Sequence, residues 1–260
     1  MMKLEAPQAI RTIFFDAGFT LLRPSLSLIE TCQDVCQREG VHLDSEQLSQ
    51  QLPEANAYFL KAARANPRTW ASEEAISLFW RGYYKMFLRP FIAEENEALL
   101  ERCAEEIIRE FDQHTHWELY PDALPTLQAL EGRGFTLGII SDWGVNLAPI
   151  ISSLNLPRYF DCLVISAVSR YSKPEAGLYD LALQRASAIP DYAIHIGDSY
   201  IHDVLGARTV GITPILIDRP GKLRAEEVDC VLIRDLREVL DLLEIPTATA
   251  PIGAARDQQL

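Results

Sequence analysis

A chain of 260 residues, 48% hydrophobic and 23% charged, has apolar material for one large globular core or for a core carrying an inserted domain. Its formal net charge of −13 argues against nucleic acid or an anionic membrane surface as a partner, since both recruit basic surfaces. A small anionic substrate remains compatible, because a local cationic pocket can oppose the global charge. The opening Met1–Pro7 segment has no signal-peptide pattern, and no stretch approaches the roughly 20 apolar residues of a membrane span, so a cytoplasmic location is expected. The five cysteines, Cys32, Cys36, Cys103, Cys162 and Cys230, are odd in number and form no CxxC pair, and they read as buried free thiols in a reducing compartment.

In chain order, residues 11–16 read as a buried strand, short, apolar on both faces and β-branched or aromatic. From Pro24 to Thr115 the pattern is helical throughout. Asp44 with Gln47 resembles a capping box, Ser72-Glu73-Glu74 starts a helix with acids at the positive end of its dipole, and Pro53, Pro67 and Pro90 punctuate the segment. Phe79, Trp80, Tyr83 and Phe87 recur at helical spacing and read as that segment's own core. The competing reading is a substrate surface, in which Arg64, Arg68, Trp70, Trp80, Arg81, Tyr83 and Tyr84 hold a flat or anionic leaving group. His114 and His116, near the far junction, read as solvated. Strand-like runs resume at Phe135–Ile140, Cys162–Ser166, Ala193–Ile196, Pro214–Ile217 and Val231–Ile233, separated by helical patterns. A last helix carries a capping-box pattern at Asp235 and Glu238. Pro246–Leu260 reads as a loose tail.

Strands alternating with helices predict an α/β fold, a Rossmann-like doubly wound parallel sheet. That core is expected over 1–23 and 116–245, with an all-helical insertion at 24–115 and hinges near Arg23-Pro24 and His114–Trp117. In such sheets ligands bind at the carboxyl ends of the strands. Asp16, Ser141 and Asp198 each follow a strand end, and Lys173 lies in the loop after the third strand. Singly, each is ordinary: a turn-capping Asp, a turn Ser, a solvated Lys, a loop Asp-x₄-Asp. Their order along the chain gives them weight.

These stretches, Asp16-Ala17-Gly18-Phe19-Thr20, Ser141, Lys173-Pro174 and Gly197-Asp198 with Asp203, resemble the haloacid dehalogenase-like (HAD) superfamily, and the helical insertion resembles the type-I cap of its subfamily IA. The resemblance spans residues 10 to 240. It implies a hydrolase of small phosphorylated molecules that uses Mg²⁺. Asp16 is then the nucleophile, forming an aspartyl-phosphate that splits one hard hydrolysis into two easier steps. Thr20 and Ser141 offer hydroxyls to phosphate, with backbone N–H groups around Ala17, Gly18 and Asp142. Asp142 stands where the family often has Asn. Lys173 neutralises the nucleophile and the transferring group. Asp16, the Gly18 carbonyl, Asp198 and Asp203 supply hard oxygens for the metal, Asp203 directly or through water. Gly197 allows close backbone approach, and Ser199 orients a carboxylate.

Gly18 departs from the pattern. The family's phosphatases have a second Asp there, which protonates the leaving alcohol and then activates water, a contribution of roughly 10²–10⁴-fold. Three explanations stand. The substrate has a good leaving group, such as an acyl phosphate; another residue substitutes, His202, Asp142 or one from the insertion; or the protein binds a ligand without turning it over. Relatives that attack carbon–halogen or carbon–phosphorus bonds also lack that Asp. The latter use a cap lysine, for which Lys61 and Lys85 are candidates, though both read more simply as surface lysines. Dehalogenases do not need the metal-binding acids, yet Asp198 and Asp203 are both present.

Overall fold

The computed structural model describes residues 4, 6–66 and 68–245; the tail read at 246–260, Pro67 and the side chain of Arg64 lie outside the described residues. In chain order the elements are β1 (Thr12–Phe15), β2 (Leu22–Pro24), α1 (Leu28–Arg38), α2 (Ser45–Ala65), α3 (Glu73–Leu88), α4 (Glu97–Asp112), β3 (Trp117–Leu119), α5 (Ala123–Leu130) and β4 (Thr136–Ser141). There follow α6 (Leu147–Ser153), β5 (Cys162–Ile165), α7 (Ser166–Ser169), α8 (Ala176–Ala186), β6 (Ala193–Gly197), α9 (Gly206–Arg208), β7 (Thr213–Ile217), β8 (Val231–Ile233) and α10 (Glu238–Leu242).

Six strands form one parallel sheet in the order β5-β4-β1-β6-β7-β8. β1 is central and buried along its whole length. Its side chains alternate between faces, as strand geometry requires. Ile13 and Phe15 join the cluster that holds Leu127 of α5, Ile150 of α6 and Leu240 of α10. Phe14 joins the cluster on the other face, with Leu178 and Ala182 of α8. Both faces are therefore covered, and the near-continuous apolar strands follow from that. Gly138 sits opposite Phe14, where a Cβ would come within 2.8 Å of the phenyl ring. The sequence places the six sheet strands to within a residue or two. Of the last helix's capping box, the structure forms one half: Asp235 N–H donates to Glu238 Oε1 at 3.0 Å, while the Asp235 carboxylate takes Arg237 N–H instead of N–H 238.

Helices α1–α4 have a core of their own, including Val35, Leu48, Phe79, Phe87, Leu100 and Ile107. α3 buries Phe79, Tyr83, Tyr84, Phe87 and Leu88 on one face, and Trp80 stacks on Tyr84 at 5.7 Å. The aromatic run thus packs inside the insertion. Asp44 and Ser72 cap α2 and α3 by accepting from Gln47 N–H and Ala75 N–H. Pro53 does not punctuate; it lies inside α2. Its missing N–H costs one helical bond, but Leu48 and Ala55, either side of it, are buried in the insertion's core. Packing outweighs the break. The Cys32, Cys36 and Cys103 thiols are buried there as well.

The segments read as hinges pair with each other. β2 and β3 form a two-stranded antiparallel ribbon with Arg23 opposite Glu118 and Pro24 opposite Trp117. Strands of three residues are too short for alternation to register in a sequence. His116 is also not solvated: it is 6% exposed, beneath the Phe111 ring with centroids 4.4 Å apart. His114 is exposed.

Candidate active site

The carboxyl edge of the sheet gathers the polar residues that follow its strands. β1 ends at Phe15 just before Asp16, β4 ends with Ser141, and β6 ends with Gly197 before Asp198. Lys173 comes from the loop between α7 and α8, and its peptide bond to Pro174 is cis. After Asp198, Ser199 caps a π-helical turn, Tyr200–Leu205, which turns Asp203 back toward the sheet. π turns concentrate at functional sites.

Lys173 Nζ donates to Asp16 Oδ1 and to Asp203 Oδ1, each at 2.6 Å. All three side chains are buried. Ser141 Oγ donates to the same Asp16 oxygen at 3.2 Å. Asp203 is held on both oxygens, since His195 Nε2 lies 2.9 Å from Oδ1 and Ser199 N–H donates to Oδ2 at 2.9 Å. It is the backbone of Ser199 that orients this carboxylate; the hydroxyl caps His202 N–H. Gly197 is required here, because a Cβ would fall 2.1 Å from Asp203 Cγ.

Burial pushes the Asp16 carboxyl up to about 6, against the opposing pull of Lys173. Burial would also raise Asp203, but Lys173 and the His195 hydrogen bond hold it well below the usual carboxylate range. Lys173 shows the reverse balance: burial favours the neutral amine, and the two aspartates outweigh it and keep the ammonium. Asp198 is exposed by surface area, yet crowded by protein atoms and by Asp16 and Asp203. That crowding drives its carboxyl upward, and water on its open side limits the rise.

Asp142 accepts from Lys173 N–H at 2.9 Å, and its Oδ2 is buried without a hydrogen bond. Burial lifts this carboxyl to about 7. Thr20 is fully buried beside the cluster's first loop, and its hydroxyl lacks a protein partner. The Thr20 carbonyl accepts from Arg219 Nη2 at 2.5 Å, and Arg219 also pairs with Asp122 at 2.8 Å. Position 18 is tightly flanked: a Cβ on Gly18 would lie 2.9 Å from Cζ3 of Trp143. His202 is not aimed at the cluster by any described side-chain bond; its carbonyl accepts from Tyr179.

The insertion reaches this edge at three points. Glu73 accepts from Val145 N–H at 2.5 Å, Asn146 donates to Asp112 at 2.9 Å, and Arg68 donates to the Arg170 carbonyl at 2.9 Å. Lys85 is instead committed to Glu97 and Glu101, which raise its pKa, and Lys61 is exposed. A cavity of about 580 Å³ on the insertion, lined by Gln51, Leu78, Arg81, Lys85 and Arg89, lies apart from the sheet edge. Among the described residues, no group of three or more His, Cys, Asp or Glu side chains is arranged as a ready metal site. The carboxylates of Asp16 and Asp198 are the oxygens open to that role, because Asp203 is already engaged.

Sequence reasoning missed His195, Trp143, Tyr179 and Arg219. A signal existed for His195, a lone polar residue in the run Ala193-Ile194-His195-Ile196 that is otherwise apolar. The other three show nothing in the sequence that sets them apart.

The chain matches the sequence profile of the haloacid dehalogenase-like hydrolases over residues 13–217. It belongs to that family. Haloacid dehalogenase-like hydrolase domain-containing protein 3 of Homo sapiens is 25% identical over 248 residues, covering 93% of this chain and 97% of that protein. A phosphoserine phosphatase of Thermus thermophilus is 28% identical over 164 residues, 62% of this chain and 65% of the enzyme. Among solved structures, YfnB of Bacillus subtilis, described as a HAD-hydrolase and bound to magnesium, superposes with a TM-score of 0.72 at 18% identity, covering 91% of this chain and 99% of YfnB. This HAD-family hydrolase therefore has phosphatases among its relatives, and it shares its fold with solved HAD structures.

Proposed function

We propose that this hydrolase is an Mg²⁺-dependent phosphatase of a small phosphorylated molecule, working through an aspartyl-phosphate on Asp16. One observation carries the reading: a buried carboxylate at the end of the central strand shares one oxygen between Lys173 and Ser141. Asp16 Oδ attacks phosphorus while the bond to the leaving-group oxygen breaks, and the electron pair leaves with that oxygen. Lys173 offsets the charge of the nucleophile and of the transferring group. Asp203, fixed by His195 and Ser199, keeps Lys173 charged and in place. Ser141 and Thr20 turn their hydroxyls to the phosphoryl oxygens. Water then attacks phosphorus, the bond to Asp16 breaks, and the protons of that water remain on the released phosphate.

The donor set suits Mg²⁺. Asp16, Asp142, Asp198 and Asp203 crowd four carboxylates around the single ammonium of Lys173. Mg²⁺ is held by one or two carboxylates together with waters and substrate oxygens, without an all-protein cage. Asp16, Asp198 and the Gly18 carbonyl would hold it, with Asp203 through water. Bound there, it neutralises developing charge on the phosphoryl group. Helices α1–α4, over 24–115, serve as the cap that closes on the substrate. The protein is cytoplasmic and engages neither nucleic acid nor membrane, in keeping with its acidic charge; no helix among the described residues is long and apolar enough to cross a membrane.

A second reading, a member that binds a phosphorylated ligand or a protein without turnover, draws support from Gly18 and from the Trp143 ring against it. A third, 2-haloacid dehalogenase, predicts halide release without metal. The deciding experiment measures phosphate release from phosphomonoesters and acyl phosphates, and halide from 2-haloacids, in Mg²⁺ and in EDTA. Phosphate release that requires Mg²⁺ and disappears in Asp16→Asn is expected. Absence of phosphate release from every compound, with Mg²⁺ bound, ends the phosphatase reading.

A further inference from the structure

We propose that Trp143 is the specificity-determining wall of this site, and that it selects aryl phosphates, whose leaving group is flat. The inference rests on the phosphatase reading and names its substrate class.

Gly18 and Trp143 are built as a pair. A Cβ at position 18 would lie 2.9 Å from Cζ3, 3.7 Å from Cε3 and 3.9 Å from Cη2 of the indole, so the six-membered ring fills the volume into which any side chain there would project. The residue is anchored from behind. The Trp143 backbone N–H donates to the buried Ser166 hydroxyl at 3.0 Å, that hydroxyl lies 3.3 Å from the Trp143 carbonyl, and the Trp117 ring meets the indole edge-on at 4.6 Å. Trp143 remains half-buried, so part of its surface is available to a ligand.

Its position in the chain places that surface on the exit path. Asp16 and Ser141 hold the phosphoryl end at the base of the site. Gly18 and Trp143 each follow two residues after Asp16 and Ser141 along the same two loops, and they meet there. The next residue, Gly144, lies under the Glu73 carboxylate of α3, where a Cβ would meet Glu73 Oε1 at 3.0 Å. A leaving group pointing from the phosphoryl site toward the insertion therefore passes the indole.

Chemistry and shape then agree. With no carboxylic acid at position 18, the P–O bond breaks with the electron pair going to an unprotonated oxygen, which takes its proton afterwards from solvent. A phenolate tolerates that far better than an alkoxide does. Its ring also packs against an indole in the offset or edge-on arrangements that aromatic pairs favour, for roughly a 3- to 10-fold gain in binding.

The test reads binding separately from turnover. With Mg²⁺ present, phenylphosphonate, methylphosphonate and inorganic phosphate are titrated into the wild-type protein, Trp143→Phe and Trp143→Ala, with thermal unfolding recorded to confirm that each variant folds. Phenylphosphonate binding roughly 3- to 10-fold tighter than methylphosphonate is expected, with the gap kept by Trp143→Phe, lost in Trp143→Ala, and phosphate binding similar in all three. A second arm compares Gly18→Asp with Gly18→Asp/Trp143→Ala: only the double variant is expected to gain alkyl phosphate hydrolysis. Equal binding of the two phosphonates by wild type, a gap that survives Trp143→Ala, or Gly18→Asp alone matching the double variant each overturns the inference. If neither phosphate nor either phosphonate binds any form, the phosphatase reading falls and takes this inference with it.

Discussion

Lys173 places one ammonium between two buried carboxylates, with both contacts at 2.6 Å. Removing one member of such a group strands the rest, which costs more than the intact group contributes. Lys173→Met is expected to lose about 3–5 kcal/mol in urea unfolding of the metal-free protein at neutral pH, and to lose less at pH 5, where Asp16 takes up a proton. Asp142 gives a second test. Its folded carboxyl is raised to about 7 from 3.8, so its contribution is fully present below the ordinary carboxylate range and is lost as pH climbs through 7. Asp142→Asn keeps an oxygen for Lys173 N–H and cannot ionise. Its melting temperature should already exceed wild type at pH 5, above the ordinary carboxylate range, and the gap should widen by several degrees up to pH 8, on a scale of about 2–4 °C per kcal/mol. A constant difference across that range would contradict the buried-carboxyl account.

At the scale of elements, the six sheet strands were legible because each is a short apolar run covered on both faces. The order of Asp16, Ser141 and Asp198 was legible because each comes at the end of such a run, with Lys173 and Asp203 in the segments that follow two of the strands. What stayed hidden has physical causes. β2 and β3 are each three residues, so no period can show. Pro53 sits in a helix because distant packing overrides a local penalty. His195 and Trp143 act through space, on Asp203 from within β6 and on Gly18 from another loop, and a single sequence does not pair such positions. The contact between α3 and the loop after β4 is of the same kind. Glu73→Ala removes the acceptor of Val145 N–H. Amide exchange at Val145 and Asn146 should quicken, while global stability drops by only about 0.5–1.5 kcal/mol. Unchanged exchange there would mean that the insertion is held by its other contacts.

For the whole molecule, a net charge of −13 surrounds a site that, on the phosphatase reading, takes an anion. Substrate and protein then repel at long range, while the buried Lys173 ammonium attracts at short range. Salt shortens the reach of the repulsion from about 30 Å at 0.01 M to about 8 Å at physiological strength and screens a buried ammonium much less. Phosphatase kcat/KM should therefore rise, roughly twofold or more, between those ionic strengths; a fall would point to steering by surface cations. The ribbon of β2 and β3 bears on the whole chain in another way. Pro24 and Trp117 lie side by side across it, so everything between them leaves and re-enters the sheet domain through one doorway. Excising that segment and bridging the doorway with a tight turn would leave an ordinary hairpin in its place. A chain built like this can exchange what it carries on the far side of the doorway for another module, while the strands that position Asp16 and its neighbours keep their register.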